Sequence, residues 1–93
     1  MNRPLLRSNA FSKAAKKIAK RDPSLAADIR AALQMLTDDA FDPRLRTHKL
    51  SGELAGSWAC SAGYDLRVVF QFVKHKGEEV ILLESVGTHD EVY

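Results

Sequence analysis

The sequence holds a single cysteine, Cys60, and only three prolines in 93 residues. One thiol cannot close an internal disulfide or build a zinc site alone, and the three histidines, His48, His75 and His89, stand at no familiar metal-ligand spacing. No hydrophobic run approaches the roughly 18 residues of a membrane span, and Met1 to Ser8 lacks the apolar stretch of a secretion leader. The expectation is a cytoplasmic chain with no metal, no cofactor and no membrane partner. Also missing are a glycine loop ending in Lys-Ser/Thr, a dinucleotide fingerprint and a nucleophile elbow, which removes the common nucleotide-dependent and serine-hydrolase chemistries. Internal repeats and low-complexity segments are absent too.

What is present is 45% hydrophobic and 28% charged, the composition of one small globular domain over residues 1–93. A domain of this size buries roughly 60 to 65% of its unfolded surface. That core accommodates two helices against one sheet but no internal chamber, so an active site would be a surface groove. Charge is unevenly placed. Residues 1–49 carry eleven Lys/Arg against five acids, a net +6, and residues 50–93 carry three against seven, a net −4. The first half therefore suits a polyanion or an acidic protein, unless its charges are merely solvated.

Periodicity gives the architecture. Arg3 to Arg7 reads as a short strand, with Pro4 marking an edge. Phe11, Ala14, Ala15 and Ile18 form an apolar stripe in a helix from about Asn9 to Arg21, and Lys13, Lys16, Lys17 and Lys20 form a basic face opposite it. Asp22-Pro23 caps and restarts the chain into a second helix to about Thr37, with Leu25, Ile29, Ala32, Leu33 and Leu36 facing inward. Residues 37–43 read as a loop. Beyond Pro43 the period becomes two. Trp58 to Ala62 is a strand; Leu66, Val68, Phe70 and Phe72 alternate with Asp65, Arg67, Val69 and Gln71 in the next; Lys74 to Gly77 connects to a last strand over Glu79 to Val86. The sequence thus predicts an α+β fold, an antiparallel sheet of three to four strands with an N-terminal helical hairpin on one face and the other face open.

The residues able to do chemistry are scattered: His48 and Lys49, then Asp65 and Arg67 on the open face of one strand, then His89 and Tyr93 near the end. Imidazole, carboxylate, guanidinium and phenol suit phosphoryl transfer from RNA without a metal, in which a base takes the 2′-hydroxyl proton, an acid protonates the leaving 5′-oxygen and a cation holds the phosphate. Histidine, with an ordinary pKa near 6.5, can perform either transfer. Bland roles compete: an Asp65–Arg67 ion pair, a half-buried anchor at Trp58, a solvated lysine face, a Tyr93 that only caps the core.

Specific strings narrow this choice. His48-Lys-Leu-Ser-Gly52, Ser57-Trp58, Gly63-Tyr-Asp-Leu-Arg-Val-Val-Phe70 and Val86-Gly-Thr-His-Asp-Glu-Val-Tyr93, behind a helical hairpin, resemble the RelE superfamily of toxins from toxin–antitoxin pairs, and within it the YafQ-type branch. The resemblance spans nearly the whole chain. It implies a metal-independent endoribonuclease (mRNA interferase) that enters the ribosomal A site, cleaves mRNA beside ribosomal RNA, inhibits translation and is neutralised by a cognate antitoxin. It assigns His48, Asp65, His89 and Tyr93 to catalysis; Arg67, Lys49 and Trp58 join them as substrate-binding candidates. Lys13, Lys16, Lys17, Lys20, Arg44 and Arg46 are candidates for RNA phosphate contacts. YafQ relatives carry a further histidine where this chain has Ala59-Cys60-Ser61-Ala62. The superfamily also contains gyrase-poisoning toxins of the same fold, and a silent RNA- or protein-binding module is a third alternative.

Overall fold

Ser8 sets the start of the first helix: its hydroxyl accepts from the Phe11 N–H at 3.0 Å and donates to the Glu84 carbonyl at 3.1 Å, tying helix to sheet. The computed structural model describes residues 2–93; Met1, the first residue of the stretch read for a leader, lies outside them. Helix α1 (Asn9–Arg21) ends where the Asp22 N–H donates to the Ile18 carbonyl, and the same residue opens α2 (Pro23–Asp38). The Asp22 carboxylate accepts from the Ser24 N–H at 3.0 Å and the Ser24 hydroxyl at 2.7 Å, bonds that hold its pKa below the ordinary value. One aspartate therefore serves both helices. α2 runs one residue past the expected Thr37, taking Asp38 out of the expected loop, and Thr37 Oγ1 donates to the Arg3 carbonyl at 2.5 Å.

The strands are β1 (Leu5–Arg7), β2 (His48–Lys49), β3 (Trp58–Ala62), β4 (Leu66–His75) and β5 (Glu78–Thr88), in the order β1-β5-β4-β3-β2. The α+β class with the helical hairpin is as expected, and β2 to β5 are the antiparallel strands of the sheet, with β1 added at its edge. The sheet has five, and β1 runs parallel to β5, because the helical hairpin gives the chain a connection long enough to leave one edge of the sheet and return elsewhere. β2 pairs with β3 through two residues only, too few for alternation to announce it. The β4–β5 turn narrows to Lys76-Gly77, with φ of 53° and 80°, both in the left-handed region that suits a two-residue hairpin.

Phe11, Ile18, Ile29, Leu33 and Leu36 of the helices meet Cys60, Leu66, Val68, Phe70, Ile81 and Leu83 of the sheet in one buried cluster. Val86 also belongs to it, three residues from Leu83. A bulge explains the odd spacing: Val69 pairs with Ser85 but Phe70 with Leu83, so Glu84 has no partner and the alternation resets.

The opposite face is not open throughout. Ala59 and Val69 lie outside the main cluster, yet are 0% and 3% exposed. After β5 the chain turns into a short helix, α3 (His89–Val92), which packs against β4 and β5. Gly87 permits the approach, since a Cβ there would lie 3.1 Å from the Glu91 Cβ and 3.3 Å from Val92 Cγ1. The glycine is inside β5 and allows docking.

Candidate functional site

Arg67 organises the most polar hollow, about 490 Å³, shared with Arg44, Arg46, Ser61, Gly63 and Tyr64. It sits on β4 in line with Ser61 of β3 and Gly87 of β5. Its Nη1 donates to the Leu66 carbonyl at 2.9 Å and to the Tyr64 carbonyl at 3.4 Å, and no carboxylate among the described residues pairs with it. The guanidinium is oriented by backbone with its charge uncompensated. Asp65 is not on the strand as expected. It occupies the β3–β4 turn, exposed and without a hydrogen bond or ion pair among the described residues, so the simple Asp65–Arg67 pair does not form.

Arg46 follows the 3-10 turn Pro43–Leu45 with φ 54° and ψ 40°, a left-handed conformation rare for a side chain of this size. That conformation brings its side chain to the hollow and its carbonyl under His48, whose Nδ1 lies 2.9 Å from it. A carbonyl only accepts, so Nδ1 carries a proton, and of the two neutral tautomers this contact selects the one whose Nε2 is the acceptor. Arg44 differs. Its Nε and Nη2 are held by Asp42 at 3.1 and 2.7 Å, the Asp42 carboxyl is pushed down to about 2 by those bonds, and much of the arginine's charge is spent locally.

His48 aligns through Ala59 with Val69, so it shares the face of Arg67, which lies two residues further along β4. Two inter-strand steps and two residues of rise place the His48 and Arg67 backbones about 12 Å apart. Both long side chains can reach one phosphate between them. At the other end the ladder closes with Thr88 paired to Leu66, and α3 begins directly after it at His89. α3 then brings the His89 and Tyr93 rings to 4.5 Å in an edge-to-face contact. A capping box holds it, with the Glu91 carboxylate accepting from the Thr88 N–H at 2.8 Å. The His89 Nδ1 lies 3.5 Å from Asp90. Tyr93 borders a second hollow of about 390 Å³ with Leu50, Ser51, Glu53 and Leu54. Burial raises its phenol pKa while the charge of Arg67 opposes the rise, so the hydroxyl keeps its proton at neutral pH and lies within the electrostatic reach of Arg67.

Other sequence candidates fall elsewhere. Lys49 aligns with Trp58 and Phe70, on the helix side of the sheet, its ammonium 5.5 Å from the Trp58 ring. Lys13, Lys16, Lys17 and Lys20 are exposed along α1, on that same side. Cys60 is buried, its thiol pushed up to about 12 by desolvation. No metal-binding cluster exists among the described residues. Tyr64 is 92% exposed at the rim of the arginine hollow, and sequence reasoning passed it over. Its signal was the turn string Gly63-Tyr64-Asp65, where an aromatic has no structural duty.

The architecture and the chain's family agree with known proteins. Residues 3–93 match the family described as the bacterial toxin of the type II toxin–antitoxin system, YafQ. The fold is similar to YafQ from E. coli strain BL21(DE3), with a TM-score of 0.76 at 18% identity over 98% of each chain. It is equally similar to a YoeB/ParE toxin from Agrobacterium tumefaciens, at a TM-score of 0.76 and 15% identity over 92% of this chain and 98% of that one. YafQ in the E. coli DinJ–YafQ complex gives a TM-score of 0.77 at 18% identity over 98% of each chain. A comparison with curated proteins finds no match. The chain belongs to the YafQ family of bacterial toxins of type II toxin–antitoxin systems.

Proposed function

We propose that this toxin is a ribosome-dependent mRNA endoribonuclease that inhibits translation, restrained by a cognate antitoxin. The observation that carries the reading is the uncompensated guanidinium of Arg67 on the same sheet face as His48, beside a docked α3 that carries His89 and Tyr93. Arg67 and Arg46 hold the scissile phosphate. His48 Nε2, free to accept, takes the 2′-hydroxyl proton as the 2′-oxygen attacks phosphorus. The bond from phosphorus to the 5′-oxygen breaks, His89 protonates that oxygen, and the products are a 2′,3′-cyclic phosphate and a 5′-hydroxyl. Tyr93, protonated and half-exposed, stacks on the nucleotide or donates to it, and Asp65 supplies a carboxylate from the β3–β4 turn. Lys13, Lys16, Lys17 and Lys20 add long-range attraction for ribosomal RNA. The antitoxin partner is inferred from the family and from the DinJ–YafQ complex of the E. coli relative.

A translation reaction on a defined mRNA, comparing wild type with His89→Ala, tests the reading. Mapped cuts within the ribosome-bound codon, lost in the variant, are expected. No cuts at all, with gyrase inhibited instead, overturns it.

A further inference from the structure

Phe41 is an apolar side chain left 51% exposed in a loop between α2 and the 3-10 turn. One face of its ring is stacked on Phe72, centroids 5.7 Å apart at 22°, and the Trp58 ring stands edge-on at 5.5 Å. Trp58 in turn packs edge-on against Phe72 at 5.3 Å. Trp58 and Phe72 therefore fix the orientation of Phe41 and leave its second face to solvent. A flat, immobilised ring face with a free cation on the same cluster of rings is what a nucleobase and its phosphate require. The cation is Lys49: its ammonium lies 5.5 Å from Trp58 and has no acidic partner among the described residues. Arg3, over Phe72 at 5.0 Å, is by contrast occupied by Glu79 at 2.6 Å.

The position of this platform gives it meaning. β2 is the edge strand, and its two residues point opposite ways, His48 to the face of Arg67 and Lys49 to the platform. Arg46 and Lys49 thus form a basic edge joining the arginine hollow to the aromatic rings. A single-stranded chain whose scissile phosphate lies by Arg67 and His48 can cross that edge and set a flanking base on Phe41.

We propose that Phe41, oriented by Trp58 and Phe72 and assisted by Lys49, is a stacking platform for a nucleobase of the bound RNA outside the scissile step. The proposal rests on the RNA reading above. Charge favours RNA over an acidic protein segment only in combination with the flat ring, so the test must separate them.

Trp58 is the only tryptophan, and its fluorescence reports directly on its neighbour. The probe is a 2′-O-methyl oligouridine, which keeps bases and phosphates but cannot be cleaved, titrated against the full chain beside an abasic oligomer of equal length. Wild type should show a saturable quench with the base-bearing probe and bind the abasic one more weakly. Phe41→Ala should lose about 5- to 150-fold in affinity for the base-bearing probe, the range set by base–aromatic stacking, with little change for the abasic one. Phe41→Leu retains apolar cover but lacks the flat face, and should lose affinity at an unchanged melting temperature. Equal affinity of wild type and both variants, no quench in wild type, or a quench produced only by an acidic polypeptide overturns the platform. If ribosome-bound mRNA is still cut in those cases, the platform alone has failed; if wild type cuts no mRNA, the RNA reading has failed with it.

Discussion

Gly87 is the point at which backbone packing controls the chemistry proposed for this toxin. A Cβ at this position would stand 3.1 Å from Glu91 Cβ, 3.1 Å from the Glu91 Oε1 and 3.3 Å from Val92 Cγ1. Gly87→Ala requires these neighbours to yield by a few tenths of an ångström. The flexible Glu91 carboxylate can swing away, weakening its 2.8 Å bond from the Thr88 N–H, and the Glu91 Cβ is relieved only by a small shift of α3 itself. A lost cap of this kind costs about 1 kcal/mol, or roughly 4–8 °C in a domain of this size. Gly87→Val adds two methyl groups that a side-chain shift cannot absorb. α3 is only four residues long and has no helical stability apart from the sheet, so it must leave its seat, taking His89 and Tyr93 with it. Misplacing catalytic groups by about 1 Å costs roughly 100-fold in rate. Cleavage on programmed ribosomes and thermal melts should be measured together. The alanine variant should melt lower and cut more slowly, while the valine variant should retain a cooperative transition yet lose at least about 100-fold in cleavage. A folded Gly87→Val that cuts at the wild-type rate would refute the role given to the α3 docking.

Four further outcomes are expected. Replacing Arg46 or Arg67 with Gln should flatten the salt dependence of RNA binding by about 0.7 per lost phosphate contact, whereas Arg44→Gln, already neutralised by Asp42, should change it less. Replacing the four lysines of α1 together should lower ribosome association in low-salt sedimentation without changing the melting temperature. A 5′-bridging sulfur in the scissile linkage needs no proton to leave, so it should restore cutting to His89→Ala and not to His48→Ala; rescue of both, or of neither, would undo the assignment of acid and base. The Asp42 carboxyl, at about 2 in the fold against 3.8 ordinarily, contributes stability that is complete above the ordinary value and disappears as pH falls towards 2. Melts of wild type and Asp42→Asn should accordingly differ at neutral pH and converge across that acid range.

Much of this fold was legible because its helices and long strands have clear periods. α1 matches its expected limits, and the paired duty of Asp22 was written in Asp-Pro at a break between two apolar stripes. β2 was hidden because two residues cannot show alternation, and its pairing with β3 depends on chain brought together only by folding. The partial cover of the second face had the same cause: Val69 reads as an alternation error until α3 is seen to pack on that side of β4 and β5. Of the candidate site, Arg67 could be placed on the second face from the parity of β4, whereas His48 could not, since its face follows only from the pairing of β2 with β3. The convergence of Arg44 and Arg46 on Arg67 could not be read either, because it rests on a left-handed Arg46 that no periodicity encodes. Asp65 was assigned to the strand because alternation runs unbroken through it, whereas Gly63, at φ 64°, starts a turn that ends only at Leu66.

The central claim is attack by the RNA's own 2′-hydroxyl. It is tested most directly by programming ribosomes with an mRNA carrying a single 2′-deoxynucleotide at the mapped cut, then identifying the ends left on the unmodified message. The account predicts that the deoxy message survives intact while the ribose message yields a 2′,3′-cyclic phosphate or its 3′-phosphate product and a 5′-hydroxyl. Cleavage of the deoxy message at the wild-type rate, or fragments ending in a 5′-phosphate, would contradict it.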